Sequence, residues 1–204
     1  MKFRTTHIRA VVPHLMNKTE KEILTKKFDL FDLEENLKHK IVLQKDLIKA
    51  FKEHDRLDTD DYQLWGLVYY SPSDERTSNT ELAIKKFKQA YTIDSNNYMA
   101  CLYIAHCYQD KNEYKTALKY YELVNQKELK EFQLWRYVKL IEQIGFCYYK
   151  TGQQDIGREY FIETLDLYKN YKTSELAVPS ELLECLSEND GIVREIKKIE
   201  DYLK

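Results

Sequence analysis

A five-residue pattern that begins with a small residue recurs three times along the 204-residue chain. The copies read GLVYY from Gly66, AHCYQ from Ala105 and GFCYY from Gly145. In every copy a bulky or apolar residue lies one and four positions before the small residue, and a tyrosine lies three positions after it. Residues three and four apart are neighbours on a helix surface, so these side chains share one face. The pattern therefore predicts three helices, each with a notch where a second helix can come close.

A second small residue follows at a regular distance and completes the repeated unit. In the second and third copies it stands twelve positions after the first, with an aromatic residue four positions later, whereas an insertion displaces the first copy by five residues. Between the two small residues, Asn112 and Gly152 stand where a left-handed residue can end the first helix. The unit is thus predicted to be a helical hairpin. The second-helix residues are Ala83, Phe87, Ala90, Ala117, Tyr121, Val124, Gly157, Phe161 and Thr164.

The composition favours a nearly all-helical chain. Only five glycines and three prolines occur, and residues that break helices are therefore scarce. The formal net charge is −2, so the electrostatic signature of a nucleic-acid-binding protein is missing. No apolar run approaches the roughly 18 residues that a membrane span needs, and the N-terminal residues lack the features of a signal peptide. We therefore expect a cytoplasmic chain that binds neither membrane nor nucleic acid.

This pattern resembles the tetratricopeptide repeat (TPR) family, whose period is about 34 residues. The segment ELAIKKFKQAYTIDSNN, which begins at Glu81, is similar to the second helix and the turn of that family. The resemblance covers residues 59–170 and implies an α-α superhelix of about three helical hairpins. The small residues are 39 and 40 positions apart, so two insertions interrupt the ideal period. We expect the first insertion to lengthen a turn and the second to extend the first helix of the third repeat.

The flanking segments are predicted to add helices at both ends. Residues 1–58 hold a long helix over 34–57, with Leu37, Ile41, Ile48 and Phe51 on one stripe, and one interpretation is a degenerate repeat. Residues 59–172 hold the three repeats. Residues 173–204 give two short capping helices split by a turn at 189–191. The carboxylates that follow Leu57 are expected to cap a helix that begins near Asp61.

The resemblance also places a candidate binding face. In this family the first helix of each hairpin lines the concave side, which puts the residues one and four positions after each small residue in the groove. The residues three positions before each small residue lie on the same stripe and are Gln63, Leu102 and Glu142. Of each tyrosine pair, the first is expected to pack inside the hairpin and the second to face the groove. An alternative is that the C-terminal helices fold back and fill this groove. The predicted partner-binding residues are Leu67, Tyr70, Leu102, His106, Gln109, Glu142, Phe146 and Tyr149.

The chemistry of this face predicts the kind of partner. Family members that bind chaperone tails resemble one another in a clamp of Lys, Arg and Asn, whereas this stripe is aromatic, amide and acidic. Aromatic residues are common anchors for apolar or helical segments. We therefore predict a non-catalytic module that binds a protein or peptide partner, with an apolar or helical segment in the groove.

Other functions have weaker support in the residues. No motif for a nucleophile, a phosphate loop or a cofactor is found, and Cys101, His106 and Cys107 do not have the spacing of a metal site. The four cysteines suit reduced thiols. A narrower alternative is a dedicated inhibitor or immunity-type partner of a toxin or enzyme. An alternative of another class is an enzyme or small-ligand sensor near His106 and Glu142. Self-association through the segment around Trp135 is a third interpretation.

Overall fold

The computed structural model describes residues 16–54, 56–71, 79–171, 176 and 178–203. The insertion after Tyr70 falls mostly outside these residues. Within them the secondary structure consists of eleven helices, without a strand. The helices are α1 (Lys18–Leu33), α2 (Leu37–Lys52), α3 (Thr59–Tyr70), α4 (Thr80–Ile93), α5 (Tyr98–Asp110), α6 (Tyr114–Tyr121), α7 (Gln126–Phe132), α8 (Leu134–Lys150), α9 (Gln154–Tyr171), α10 (Ser180–Cys185) and α11 (Gly191–Leu203).

The chain divides into two compact units, Met1–Asp94 and Ser95–Lys204. In the first unit α1 packs on α2 and α3 packs on α4. In the second unit α5 packs on α6 and α8 on α9, while α7 and α10 contact α8 and α11 contacts α9. The predicted fold class is thereby confirmed, namely an all-α chain of three TPR-like hairpins with further helices at both ends. The division into segments 1–58, 59–172 and 173–204 stays a prediction.

The small residues mark the closest approach of the two helices in a hairpin. A Cβ atom added at Gly66 would lie 2.4 Å from the Phe87 ring of α4. In the third hairpin, a Cβ atom at Gly157 would lie 2.7 Å from the carbonyl oxygen of Gly145. Alanines take the same roles in the second hairpin, where Ala105 and Ala117 are fully buried. The predicted notch is therefore a contact between backbones in the third hairpin, and in the first hairpin it receives the Phe87 ring.

Left-handed residues end the first helix of the second and third hairpins, as predicted. Asn112 has φ 60° and Gly152 has φ 85°. In both turns the next amide donates to a tyrosine carbonyl five residues earlier, Glu113 to Tyr108 at 2.8 Å and Gln153 to Tyr148 at 3.0 Å. This is the Schellman arrangement, which satisfies the last carbonyls of a helix.

The N-terminal helices α1 and α2 pack on each other and on α3. Phe31 of α1 and Phe51 of α2 are buried, and Phe51 stacks on Trp65 of α3 at 5.3 Å. Leu47 is fully buried, whereas Leu37 is 39% exposed, so the predicted stripe was wrong at its first residue. Leu37 is the first residue of α2.

Three element boundaries differ from the predictions. The helix predicted over 34–57 is shorter and runs from Leu37 to Lys52. The second insertion lengthens α8, which begins at Leu134, but most of it forms a separate helix, α7. The break falls at Gln133, whose extended backbone (φ −148°, ψ 96°) interrupts the helical path. At the start of α3, Asp58 is the N-cap and forms a reciprocal capping box with Asp61. Capping by these carboxylates is therefore confirmed, although the helix begins two residues earlier than expected.

We predict that Gly157→Ala destabilises the chain because both nearest neighbours of the new Cβ are backbone atoms. The Gly145 oxygen would lie at 2.7 Å and the Tyr149 nitrogen at 2.9 Å. Overpacking of about 3 kcal/mol outweighs the helix-propensity gain of about 1 kcal/mol. Urea unfolding should therefore show a net loss of about 2 kcal/mol.

Gly191→Ala is the matched control, since nothing lies within 4 Å of its new Cβ. The control should change the free energy of unfolding by less than about 0.5 kcal/mol. Equal stability of the two variants would contradict the close approach of α8 and α9.

Candidate functional site

In the first unit, an open pocket lies beside the predicted binding stripe of α3. Its volume is ≈ 330 Å³, and both Gln63 and Leu67 line it. Leu67 and Tyr70 are half-buried. The remaining lining residues come from α1 and α3 and are Lys21, Leu24, Thr25, Asp60, Asp61 and Leu64.

A charged cluster closes one side of this pocket. The Lys21 ammonium is hydrogen-bonded to Asp58, and its Nζ atom lies 3.4 Å from Oδ2 of Asp61. Burial alone would lower the pKa of Lys21, but the hydrogen bond from its ammonium to the Asp58 carboxylate raises it above its usual range. Lys21 is therefore a fixed cation at the base of α3, next to the half-buried Leu67.

The residue four positions after each small residue contacts the second helix of its own hairpin. The Tyr70 ring meets Phe87 edge-on at 6.5 Å, and the Tyr149 ring lies 6.1 Å from Phe161. In the second hairpin, Gln109 Oε1 accepts a 2.7 Å hydrogen bond from the Tyr121 hydroxyl. The prediction that the second tyrosine simply faces the groove was therefore incomplete.

The first tyrosine of each pair packs in its hairpin, as expected. Tyr69 is 8% exposed and stacks on Trp65 at 6.4 Å. Tyr148 stacks on Tyr160 of α9 at 5.7 Å. Both members of a pair thus contribute to the hairpin, and the second keeps part of its surface exposed.

His106 of α5 is held between aromatic rings and an amide. Its ring lies edge-on to Tyr103 and Tyr121, each at 5.9 Å. Nε2 of His106 is 2.9 Å from Oε1 of Gln143 on α8. Burial lowers the pKa of the imidazole to about 4, although the bond to Gln143 opposes this shift. His106 is therefore neutral at pH 7, and its bond to Gln143 links α5 to α8.

Phe146 lies at the edge of a second open pocket, which is in the second unit. The ring is 6% exposed, meets Tyr114 edge-on at 5.6 Å, and carries the Lys150 ammonium 5.1 Å above it. The pocket measures ≈ 330 Å³. Its lining residues are Gln109, Asp110, Asn112, Tyr114, Phe146, Ser180, Glu181 and Glu184.

Glu142 is buried beneath α10. Its side chain is 2% exposed, and its Oε1 atom accepts the backbone amides of Glu181 and Leu182 at 2.9 and 3.0 Å. Oε2 accepts a 2.9 Å bond from Lys139, which also pairs with Glu181. The carboxylate of Glu142 therefore fixes the start of α10 on the face of α8.

Burial sets the direction of the pKa shift for Glu142, whereas the ion pairs set it for Lys139 and Glu181. Burial raises the pKa of Glu142 to about 7, against the opposing effect of Lys139. For Lys139, burial would lower the pKa, yet the charges of Glu142 and Glu181 raise it above its usual range. Burial would raise the pKa of Glu181, but the Lys139 hydrogen bond lowers it.

The eight predicted residues thus fall into two groups. Leu67, Tyr70, His106, Gln109 and Tyr149 keep part of their surface exposed. Leu102, Glu142 and Phe146 are buried at 2%, 1% and 6% exposure. The alternative in which C-terminal helices cover the face describes the geometry at Glu142, where α10 is docked. The sequence analysis did not identify Glu181 and Leu182, since their contacts with α8 join residues about 40 positions apart.

Thiols and acids do not form a metal centre in the part of the chain that the structure describes. No group of three His, Cys, Asp or Glu side chains is placed to hold an ion there. Burial raises the pKa of Cys101 to about 11 and that of Cys147 to about 12. Thiols with such high pKa values are weak nucleophiles at pH 7.

Among the described residues, no helix combines the length and the apolar character needed to cross a membrane.

We predict that His106 makes the chain sensitive to acid. The folded-state pKa of about 4 is below the usual 6.5, so the unfolded state binds the proton more strongly. This contribution to stability is complete above pH 6.5 and is lost as the pH falls towards 4. Between pH 7.5 and pH 5, the free energy of unfolding of wild type should fall by on the order of 1–2 kcal/mol more than that of His106→Gln.

Urea midpoints of both proteins at the two pH values measure this difference. Glu142 is expected to act in the opposite direction, because its raised pKa lowers the free energy of unfolding as the pH rises from 4.5 to 7. Both proteins contain Glu142, so its effect cancels when they are compared. Parallel pH profiles for the two proteins would show that His106 is not held neutral by burial.

Two solved structures of MamA share the fold of this chain. The first is 18% identical, with a TM-score of 0.52, and the match covers 76% of this chain and 96% of that one. The second is also 18% identical, with a TM-score of 0.53, and the match covers 78% of this chain and 81% of that one. Comparisons with protein-family models and with curated proteins gave no match. The structural similarity therefore establishes a helical-repeat fold like that of MamA.

Proposed function

We propose that this chain belongs to the TPR family and is a non-catalytic module that binds a polypeptide along the first helices of its hairpins. The observation that carries the proposal is the position of the two open pockets. In the first unit the pocket is lined by Gln63 and Leu67, and in the second by Gln109 and Phe146. All four residues belong to the stripe that the repeat pattern predicts.

The half-buried residues of this stripe are suited to contact a partner. Leu67, His106 and Tyr149 are held by packing, so little side-chain entropy remains to be lost on binding. Ordered aromatic and apolar side chains beside a pocket are typical anchors for an inserted helix or extended segment. The partner is therefore proposed to be a protein or peptide with an apolar or helical segment.

Catalysis by His106 and Glu142 has less support, although both pKa values are strongly shifted. Packing explains both shifts, since burial is the largest cause for each residue. The pocket in the second unit is lined by neither side chain. A substrate would thus have to displace α10 before it reached Glu142.

We predict that Gln63→Ala with Leu67→Ala lowers capture of the partner from native lysate by at least about tenfold, because both side chains line the pocket of the first unit. Tagged wild type and variant are compared by quantitative mass spectrometry. Substitutions at Tyr70 or Tyr149 are less suitable, since these rings also pack on Phe87 and Phe161.

Leu82→Ala is the matched control because Leu82 is 36% exposed on α4, outside the stripe. It should retain the captured protein, and circular dichroism should show that all variants are folded. Equal capture by the stripe variant and by wild type would move the binding site away from the first helices. An affinity for one protein far above all others would favour an inhibitor, and several weak affinities would favour an adaptor.

A further inference from the structure

The short helix α10 covers the α8 part of the proposed binding stripe. This helix has six residues, and its buried residue is Leu182, which is fully buried. Its packing contacts are with α8. A helix of this length is not stable alone in water, so its helical form depends on docking to α8.

Charged side chains set the position of α10 on α8. Glu181 pairs with Lys139 near the start of α10, and Glu184 lies 2.7 Å from Lys150 one turn later. The two acids flank the buried Leu182. Glu181, Leu182 and Glu184 thus present an acid, a leucine and a second acid to α8. In addition, the backbone amides at the start of α10 bind Glu142.

The next helix is held in a different way and does not need α10. Three buried residues of α11, Ile192, Val193 and Ile196, provide its apolar face. The helix packs on α9, and both carboxylate oxygens of Asp190 accept bonds from Arg158, at 2.6 and 3.1 Å. Release of α10 would therefore leave α11 attached to α9.

We propose that α10 is an internal ligand of the α8 face, and that the partner which displaces it is a helical polypeptide segment with the same order of side chains. That segment carries an acid for Lys139, a leucine for the site of Leu182 and a second acid for Lys150. This inference rests on the proposed function, which it narrows to an acidic, leucine-anchored partner.

The surroundings of α10 allow a longer segment to bind. The pocket of the second unit adjoins α10, since Ser180, Glu181 and Glu184 line it together with Gln109 and Tyr114. A partner helix in the place of α10 would extend towards Gln109 and Tyr114 and gain contacts that α10 lacks. Such contacts would offset the advantage that α10 has as part of the same chain.

The test uses a fluorescent peptide with the sequence of residues 178–187 and Cys185→Ser, added to the full chain. A released variant combines Glu181→Lys, Leu182→Ala and Glu184→Ala, which weaken α10 without changing α8. We expect the released variant to bind the peptide at least about tenfold more tightly than wild type in fluorescence anisotropy, because wild type holds its own ligand at high effective concentration. Glu188→Lys, an exposed charge change outside α10, should behave as wild type.

A charge exchange tests the recognition itself. In the released variant, Lys150→Glu should weaken binding of the peptide by about two- to fivefold, as expected for one exposed ion pair. A peptide with Glu184→Lys should recover that loss on the Lys150→Glu chain and not on its parent. Equal binding of both peptides to both chains would overturn the proposed recognition.

Peptide affinity that does not increase in the released variant would overturn the inference. If the released variant does not fold, hydrogen exchange in wild type decides instead, because the Leu182 amide is bonded to Glu142. Faster exchange of this amide with millimolar peptide supports displacement, and an unchanged rate overturns it.

A cellular partner captured equally by wild type and released chains overturns this inference alone. Peptide binding without any cellular partner overturns only the proposed function.

Discussion

The close approach of paired helices at small residues is the constraint on which each hairpin depends. In the third hairpin, the site of a Cβ atom on Gly157 lies 2.7 Å from the Gly145 carbonyl oxygen, so the two backbones are in direct contact. Side chains beside this contact must lie flat against the neighbouring helix. The aromatic stacking of Tyr148 on Tyr160 follows from that geometry, as does the packing of Tyr149 on Phe161. The abundance of tyrosine, 17 in the chain, reflects these half-buried positions.

The same constraint explains why part of the proposed binding stripe is both ordered and accessible. A residue four positions after the small residue contacts the second helix with one side and keeps the rest of its surface exposed. Gln109 takes this role with a hydrogen bond to Tyr121 where the other hairpins use rings. Packing inside the hairpin and exposure to a partner are therefore properties of the same side chains. Substitutions at these positions combine losses of stability with losses of binding, whereas Gln63 and Leu67 separate the two effects better.

Much of the fold could be predicted from the sequence because its signals are local. Spacings of three and four residues identified the hairpins, and Asn112 and Gly152 identified their left-handed turns. The separate helix α7 was missed because the break at Gln133 involves neither glycine nor proline. The hydrogen bond from Gln44 to the Val68 carbonyl joins residues 24 positions apart, and no local pattern indicates it. For the candidate site, the stripe was predictable as a set of helix positions, and its cover by C-terminal helices as an alternative. The hydrogen bonds from the Glu181 and Leu182 amides to Glu142 were not predictable, because they join residues about 40 positions apart.

Burial of charge decides what the α8 face can accept. Glu142 is removed from water, and an unpaired carboxylate there would be costly, so any occupant of the face must supply donors as α10 does with its two backbone amides. Lys139 then favours an acid in the occupant, because a neutral segment would leave this half-buried ammonium with Glu142 alone. Lys150 adds a weaker preference for a second acid, because its ion pair with Glu184 is exposed. An apolar helix without acids would bury a side chain in the place of Leu182, but it would form no ion pair with Lys139 or Lys150. In the proposed complex, the aromatic and apolar stripe provides the affinity, while the charges around Glu142 favour an acidic helix over other apolar segments.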